Sequence, residues 1–222
     1  MRHRVFLVHT PAYLGLFLMA FSSLLGCASG IRVGYDSVQL ALPFAGHAKV
    51  ALATLDMRPS VTSGREKPTF TGTLRTDAKT TSPVSTASGN SFATDVSMIV
   101  ARGLTESGFQ VESIPLEPPL SEAQAFERLE TTGASHLVLL LVREWQADTF
   151  ANTELRYDLA IEIRNPAGAL QGKSRVQGSD QLPAAHTDSE ETVERASQTA
   201  LAYKLGLLFR EPSVAAAFER EL

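Results

Sequence analysis

Cysteine is almost missing from this chain: Cys27 is the only one in 222 residues. No disulfide can form within it, so a folded domain has to stand on its apolar core alone. Runs of lysine and arginine are missing too, as are zinc-ligand spacings and basic stretches interleaved with aromatics. Their absence removes the usual means of holding nucleic acid. The balance is acidic, 24 Asp+Glu against 20 Lys+Arg for a formal charge of −4, and such a surface does not suit a polyanion. No G-x-S-x-G occurs, so a nucleophile elbow is not expected. The histidines His47, His136 and His186 are scattered, with no second ligand at helix or hairpin spacing, and no metal is expected. Internal repeats and long blocks of charge are absent, and the length suits one domain.

What is present begins at the N-terminus. Arg2, His3 and Arg4 form a basic tip, and an apolar stretch from Val5 to Leu25 follows. The stretch ends in "LLGCASG", where Leu24, Leu25 and Gly26 stand directly before the single cysteine. A basic tip, an apolar segment and small residues at a cleavage point make a signal peptide. The residues before the thiol resemble the bacterial lipobox, in which cleavage leaves the cysteine as the first residue of the mature chain. That resemblance implies residues 1–26 as leader, Cys27 as the lipid attachment site, and residues 27–47 as acylated N-terminus and tether. Ala28 rather than aspartate follows the cysteine, which points to the outer membrane, with the domain facing the periplasm. An uncleaved spanning helix is the competing reading, since the apolar run is nearly long enough to cross a bilayer. Loss of Arg2 and Arg4, with every acidic residue retained, takes the formal charge of the mature chain to −6.

Residues 48–222 read as the periplasmic domain. "KVALATLDMRP" alternates Val50, Leu52 and Thr54 with small residues and predicts a strand that Pro59 stops. Residues 60–91 turn to Thr, Ser, Gly and Pro, which predicts a mobile loop holding one short strand around "TFTGTLR". A helix follows from Phe92, with Val96, Ile99, Val100 and Leu104 on one stripe, Asp95 in its first turn and Gly108 as its stop. "FQVESIP" predicts a short strand. "PPLSEAQAFERLETTG" predicts a second helix, with Ser121 and Gln124 at capping-box spacing and Gly133 at its end. Leu137 to Val142 is continuously apolar and predicts a central strand buried on both faces. "ELRYDLAIEIRNPAGALQGKSRVQG" predicts a hairpin turning at Asn165 to Gly168, with Leu155, Tyr157, Leu159, Ile161 and Ile163 facing inward. A last helix from about Ser189 to Arg210 carries Val193, Leu201, Leu205 and Leu208 on one side and ends before Pro212. The fold class is α/β (α+β): one domain, a mixed sheet and about three packed helices.

The words "LDMRP", "GLTESGFQV", "LLLVREWQAD" and "ELRYDLAIEIRNPAGALQGKS", with the terminal "ALAYKLGLLFREPSVAAAF", resemble the YajG-like family of bacterial lipoproteins. The resemblance spans roughly Val50 to Phe218. It implies an anchored, periplasm-facing domain of the cell envelope without an established activity. The segment 60–91 is longer here than in that family.

"GALQGKS" resembles a phosphate-binding loop, but Gly168 and Gly172 have three residues between them instead of four, and the segment lies in a hairpin arm. Lys173 is therefore expected to be a solvated strand residue, with no nucleotide bound. Asp56 and Arg58 could act together at a strand end, but a surface ion pair or turn cap is the expected role. Asp148 near Trp145 is read the same way. Trp145, Phe150 and Tyr157 could form a stacking patch, though core or interface is the commoner use of such residues. His136 is expected to be a satisfied residue at the edge of the core. The double-sided apolar strand needs cover on both faces, and Leu137, Leu139, Leu141 and Trp145 are the candidate partner surface. Self-cover by Val38, Leu40, Leu42 and Phe44 is favoured over an envelope protein or a second copy. The functional expectation is a lipid-anchored, non-catalytic binding or assembly module with no cofactor. An accessory lipoprotein of an ABC-type envelope transporter is one alternative, and a glycan-acting enzyme with paired carboxylates in a cleft is another.

Overall fold

A computed structural model of the chain describes residues 31–75, 80–117, 119–150, 152–182 and 190–220. The leader and Cys27 lie outside the described residues. The elements in order are β1 (Ile31–Val33), β2 (Lys49–Asp56), the single turn α1 (Pro59–Thr62), β3 (Phe70–Arg75), β4 (Thr81–Thr86), α2 (Phe92–Glu106), β5 (Gln110–Ser113) and α3 (Glu122–Glu130). After these come β6 (His136–Thr149), β7 (Thr153–Arg164), β8 (Leu170–Leu182), α4 (Glu190–Arg210) and α5 (Pro212–Glu219).

Strand β6 organises the sheet. Along its first half it lies parallel to β2, from Val50 opposite His136 to Asp56 opposite Val142. Along its last residues it lies parallel to β3 instead, with Gly72 opposite Ala147 and Leu74 opposite Thr149. Its other side pairs throughout with antiparallel β7, which in turn pairs with β8. Beyond β2 lies parallel β5, and beyond β3 lie β4 and then β1. A bulge between Val142 and Glu144 marks the place where β6 changes partner.

Because successive strand side chains alternate, the apolar run of β6 feeds two cores. Leu137, Leu139 and Leu141 join Ala51, Ala53 and Leu55 beneath Ala125, Phe126 and Leu129 of α3. Val138, Leu140 and Val142 join Leu155, Leu159, Ile161 and Ile163 of β7 beneath α2, α4 and α5. Val38, Leu40 and Phe44 belong to this second, larger core, with Leu42 partly buried against it; the N-terminal segment is therefore not the expected cover of Leu137, Leu139 and Leu141, whose side chains point to the opposite face, under α3. The expected tether is correspondingly shorter: from Ile31 the chain is already in the sheet, and Tyr35 is buried with its hydroxyl accepting from Trp145 Nε1 at 3.2 Å.

Helix α2 and its Asp95 stand as predicted, as does the full capping box of α3, in which Ser121 and Gln124 each bond the other's backbone. Two expectations are corrected. Residues 60–91 are not one loop: beside the foreseen strand around "TFTGTLR" they hold β4, which buries only Val84 and Thr86 and so shows little apolar pattern. Among the described residues five helices form, not about three, because Pro59 opens the single turn α1 and Pro212 opens α5 as well as ending α4. At a first helical position the missing N–H has no partner to lose, and α5 buries Val214, Ala217 and Phe218.

Candidate functional site

The change of partner along β6 leaves a seam between the end of β2 and the start of β3, and one side chain closes it. Arg58, just past β2, donates from Nε to Asp56 Oδ1 at 2.9 Å and from Nη2 to Asp56 Oδ2 at 2.6 Å. The same guanidinium donates to the carbonyls of Phe70 and Pro68 at the start of β3 and lies 5.3 Å from the centroid of the Phe92 ring. Both side chains are nearly inaccessible, 3% exposed for Arg58 and 4% for Asp56. The expected surface ion pair is thus a buried clamp, whose four donor contacts offset the cost of taking both charges out of water. Gly72 completes the seam: a Cβ there would sit 1.9 Å from the Ala147 carbonyl oxygen.

On one side of the clamp an open cleft of about 480 Å³ lies at the carboxyl ends of the parallel strands β2 and β5. Open sheets with parallel strands place ligands at such ends, where loops and helix N-termini converge. Thr54 and Asp56 come from β2, Ser97 and Met98 from α2, and Ile114 and Leu116 from the chain after β5. Ser97 Oγ donates to Thr54 Oγ1 at 2.6 Å, and Met98 stands 55% exposed at the rim. The walls are apolar, and the polar groups are hydroxyls with two carboxylates, Asp56 and the exposed Glu117. Asp56 reaches the cleft, but both its oxygens accept from Arg58. On the other side, a smaller polar hollow of about 260 Å³ is bordered by Arg58, Arg65, Arg143, Glu144 and Asp158. Arg143 is paired with Glu122, and Asp158 with Arg175.

The remaining candidates fall apart in space. Leu137, Leu139 and Leu141 lie under α3 at 0–3% exposure, and Trp145 is 1% exposed on the opposite face of the sheet, stacked 5.3 Å from Phe92. Those four residues form no partner surface on the folded domain, because the chain's own helices cover them. Trp145, Phe150 and Tyr157 do not form a stacking patch either: Phe150 is 55% exposed at the β6–β7 turn, while Trp145 and Tyr157 are buried. Asp148 accepts from Thr73 Oγ1 at 2.7 Å and Arg156 Nη2 at 2.9 Å. Lys173 is an exposed residue of β8, as its hairpin position predicted. His136 is buried, its Nε2 3.0 Å from the Ala217 carbonyl, and burial lowers its pKa below the ordinary value. No group of three or more metal-ligating side chains occurs among the described residues.

Two buried polar groups escaped the sequence reading. Lys204 donates to Asp180 Oδ2 at 2.5 Å and sits 3.9 Å from the Tyr157 ring centroid. Burial alone would lower its pKa, but the bonds to Asp180 and Tyr157 prevail and raise it. Its position between Leu201 and Leu205 on the inner side of α4 was the available signal. Tyr35, buried under the Trp145 indole, has its phenol pushed up to about 12.

No protein-family model matches the chain, and no curated protein matches it, so the YajG-like resemblance rests on the sequence words alone. Solved structures with some likeness include a Xanthomonas campestris protein of family DUF330, at 10% identity and TM-score 0.48 over 80% of this chain and 88% of that one. PelC from Paraburkholderia phytofirmans, a dodecamer, shows 15% identity and TM-score 0.40 over 76% and 92%. Lipoprotein GNA1162 of Neisseria meningitidis shows 11% identity and TM-score 0.30 over 70% and 99%. Scores of this size carry no inference about activity. Among the described residues no helix is long and apolar enough to cross a membrane.

Proposed function

We propose that the chain is a lipoprotein of the cell envelope, acylated at Cys27 and held at the outer membrane facing the periplasm, whose domain binds a partner and catalyses nothing. The basic tip, apolar run and "LLGCASG" support the anchor,. The binding reading is carried by one observation: the buried carboxylate of the cleft, Asp56, has both oxygens engaged by Arg58. Both oxygens are thereby taken up in holding β2 to the start of β3, and the cleft around them offers apolar walls, a few hydroxyls and the exposed Glu117,. Such a lining takes a largely apolar group without negative charge, for instance a short segment of another envelope protein,.

Two experiments test the halves of this reading separately. Labelled palmitate should enter the wild-type protein and not Cys27→Ser, which should leave the detergent phase; equal partition without label would establish an uncleaved helix instead. A photo-crosslinking side chain at Met98, on the cleft rim, should capture a discrete partner in intact cells, and one at Tyr203, equally exposed on α4, should not. Adducts of the same pattern from both positions would overturn the cleft as the binding site.

A further inference from the structure

The register of β1 fixes which end of the domain faces the anchor. Ile31 stands opposite Val84 and β1 runs parallel to β4. The backbone therefore leaves Ile31 on its N-terminal side toward the end of β4 that begins at Thr81. Thr81 is opposite Arg75, the last residue of β3, and Leu74 is opposite Thr149, the last residue of β6. The exit of the chain, the β3–β4 end and the β6–β7 turn thus share one rim of the sheet. Only residues 28–30 separate Ile31 from Cys27, a reach of at most about 14 Å for four extended steps. The width from β1 across β4 and β3 to β6 is about the same, three strand spacings of roughly 4.8 Å. A lipid on Cys27 cannot hold the domain far from the bilayer, nor bring another end to it.

That rim carries the side chains a lipid surface takes up. Phe150, at the β6–β7 turn, is 55% exposed, and the Arg75 guanidinium lies 5.6 Å from its ring centroid. Arg75 is itself exposed, with no ion pair among the described residues. An aromatic ring beside a cation suits the boundary between acyl chains and phosphate headgroups. We propose that this rim rests on the phospholipid surface, with Phe150 entering the interface and Arg75 meeting a headgroup phosphate. The proposal rests on the acylation of Cys27.

The test uses the full-length acylated protein in vesicles of phosphatidylethanolamine and phosphatidylglycerol, with and without brominated acyl chains. Phe150→Trp places a reporter on the rim. Leu170→Trp places one at the β7–β8 turn, at the far end of the sheet and similarly exposed at 50%. Trp145, buried in both, supplies a constant background. Brominated lipid should quench most of the added emission of Phe150→Trp and leave Leu170→Trp unchanged. Labelled palmitate on each sample separates the two hypotheses. Acylated protein with an unquenched Phe150→Trp, or with equal quenching at both positions, overturns the orientation and leaves the anchor standing; protein without label overturns both.

Discussion

Arg58 is the residue on which the two halves of the sheet meet, so its removal should be felt well beyond one ion pair. Arg58→Met leaves the Asp56 carboxylate buried and unpaired, and removal of one partner of such a pair costs about 3–5 kcal/mol. The urea midpoint should fall accordingly, and the double variant Arg58→Met with Asp56→Leu should regain much of the loss, since no lone charge then remains. His136 gives the domain a pH dependence. Its pKa is lowered by burial, with the Ala217 carbonyl pulling the other way, so the folded state prefers the neutral ring. The stability this supplies is complete above the ordinary value near 6.5 and is lost as the pH falls through the lower folded value,. Urea midpoints taken from about pH 8 down to about pH 5 should decline, and His136→Gln should flatten that decline. Lys173→Ala should change stability by no more than about 0.5 kcal/mol, as exposed substitutions do, and calorimetric titration with ATP and Mg²⁺ should show no binding before or after it.

Among the elements, α3 carries the cover of a whole sheet face with nine residues, and its start depends on the Ser121–Gln124 box. Ser121→Ala should cost about 1 kcal/mol, the usual value of an N-cap. Hydrogen exchange should show the loss first in the α3 amides. Elements whose sequence states both period and ends were legible: α2 and α3 show a stripe, a cap and a glycine, β6 an apolar run, and β7 a clean alternation. Those that were not share a physical reason. β4 has a Ser/Thr-rich sequence with two buried side chains, so its strand is set by the neighbours on either side. α5 follows a proline that reads equally as an end and a beginning.

At the scale of the molecule, the segment before β2 is part of the core rather than an appendage. Tyr35, Val38, Leu40 and Phe44 are 1–7% exposed, and each such side chain contributes roughly 1.5–3 kcal/mol by burial. A leaderless domain starting at residue 28 should melt cooperatively, whereas one starting at residue 45 should lose as much as a typical domain has to spare and show no cooperative transition. The candidate site was less legible than the fold. Asp56 and Arg58 stand out in the sequence as a pair, but their burial follows from the split pairing of β6, which joins residues far apart in sequence. The cleft likewise draws on β2, α2 and the chain after β5, and no local spacing announces it. The cover that Leu137, Leu139 and Leu141 need is α3, folded from the residues just before them, and not the N-terminal segment that the sequence points to.

The placement of β6 also sets an order in time. Strand β2 has no partner on that side until His136 to Val142 exist, 86 residues later in synthesis, and β3 waits 75 residues for Ala147. Parallel pairings between distant segments form slowly because the intervening chain must be closed into a loop first. The antiparallel pairs β3–β4 and β6–β7–β8 join neighbours in sequence and have no such delay. While the N-terminal half emerges it cannot complete the sheet, whose two parts are joined only once β6 has been made.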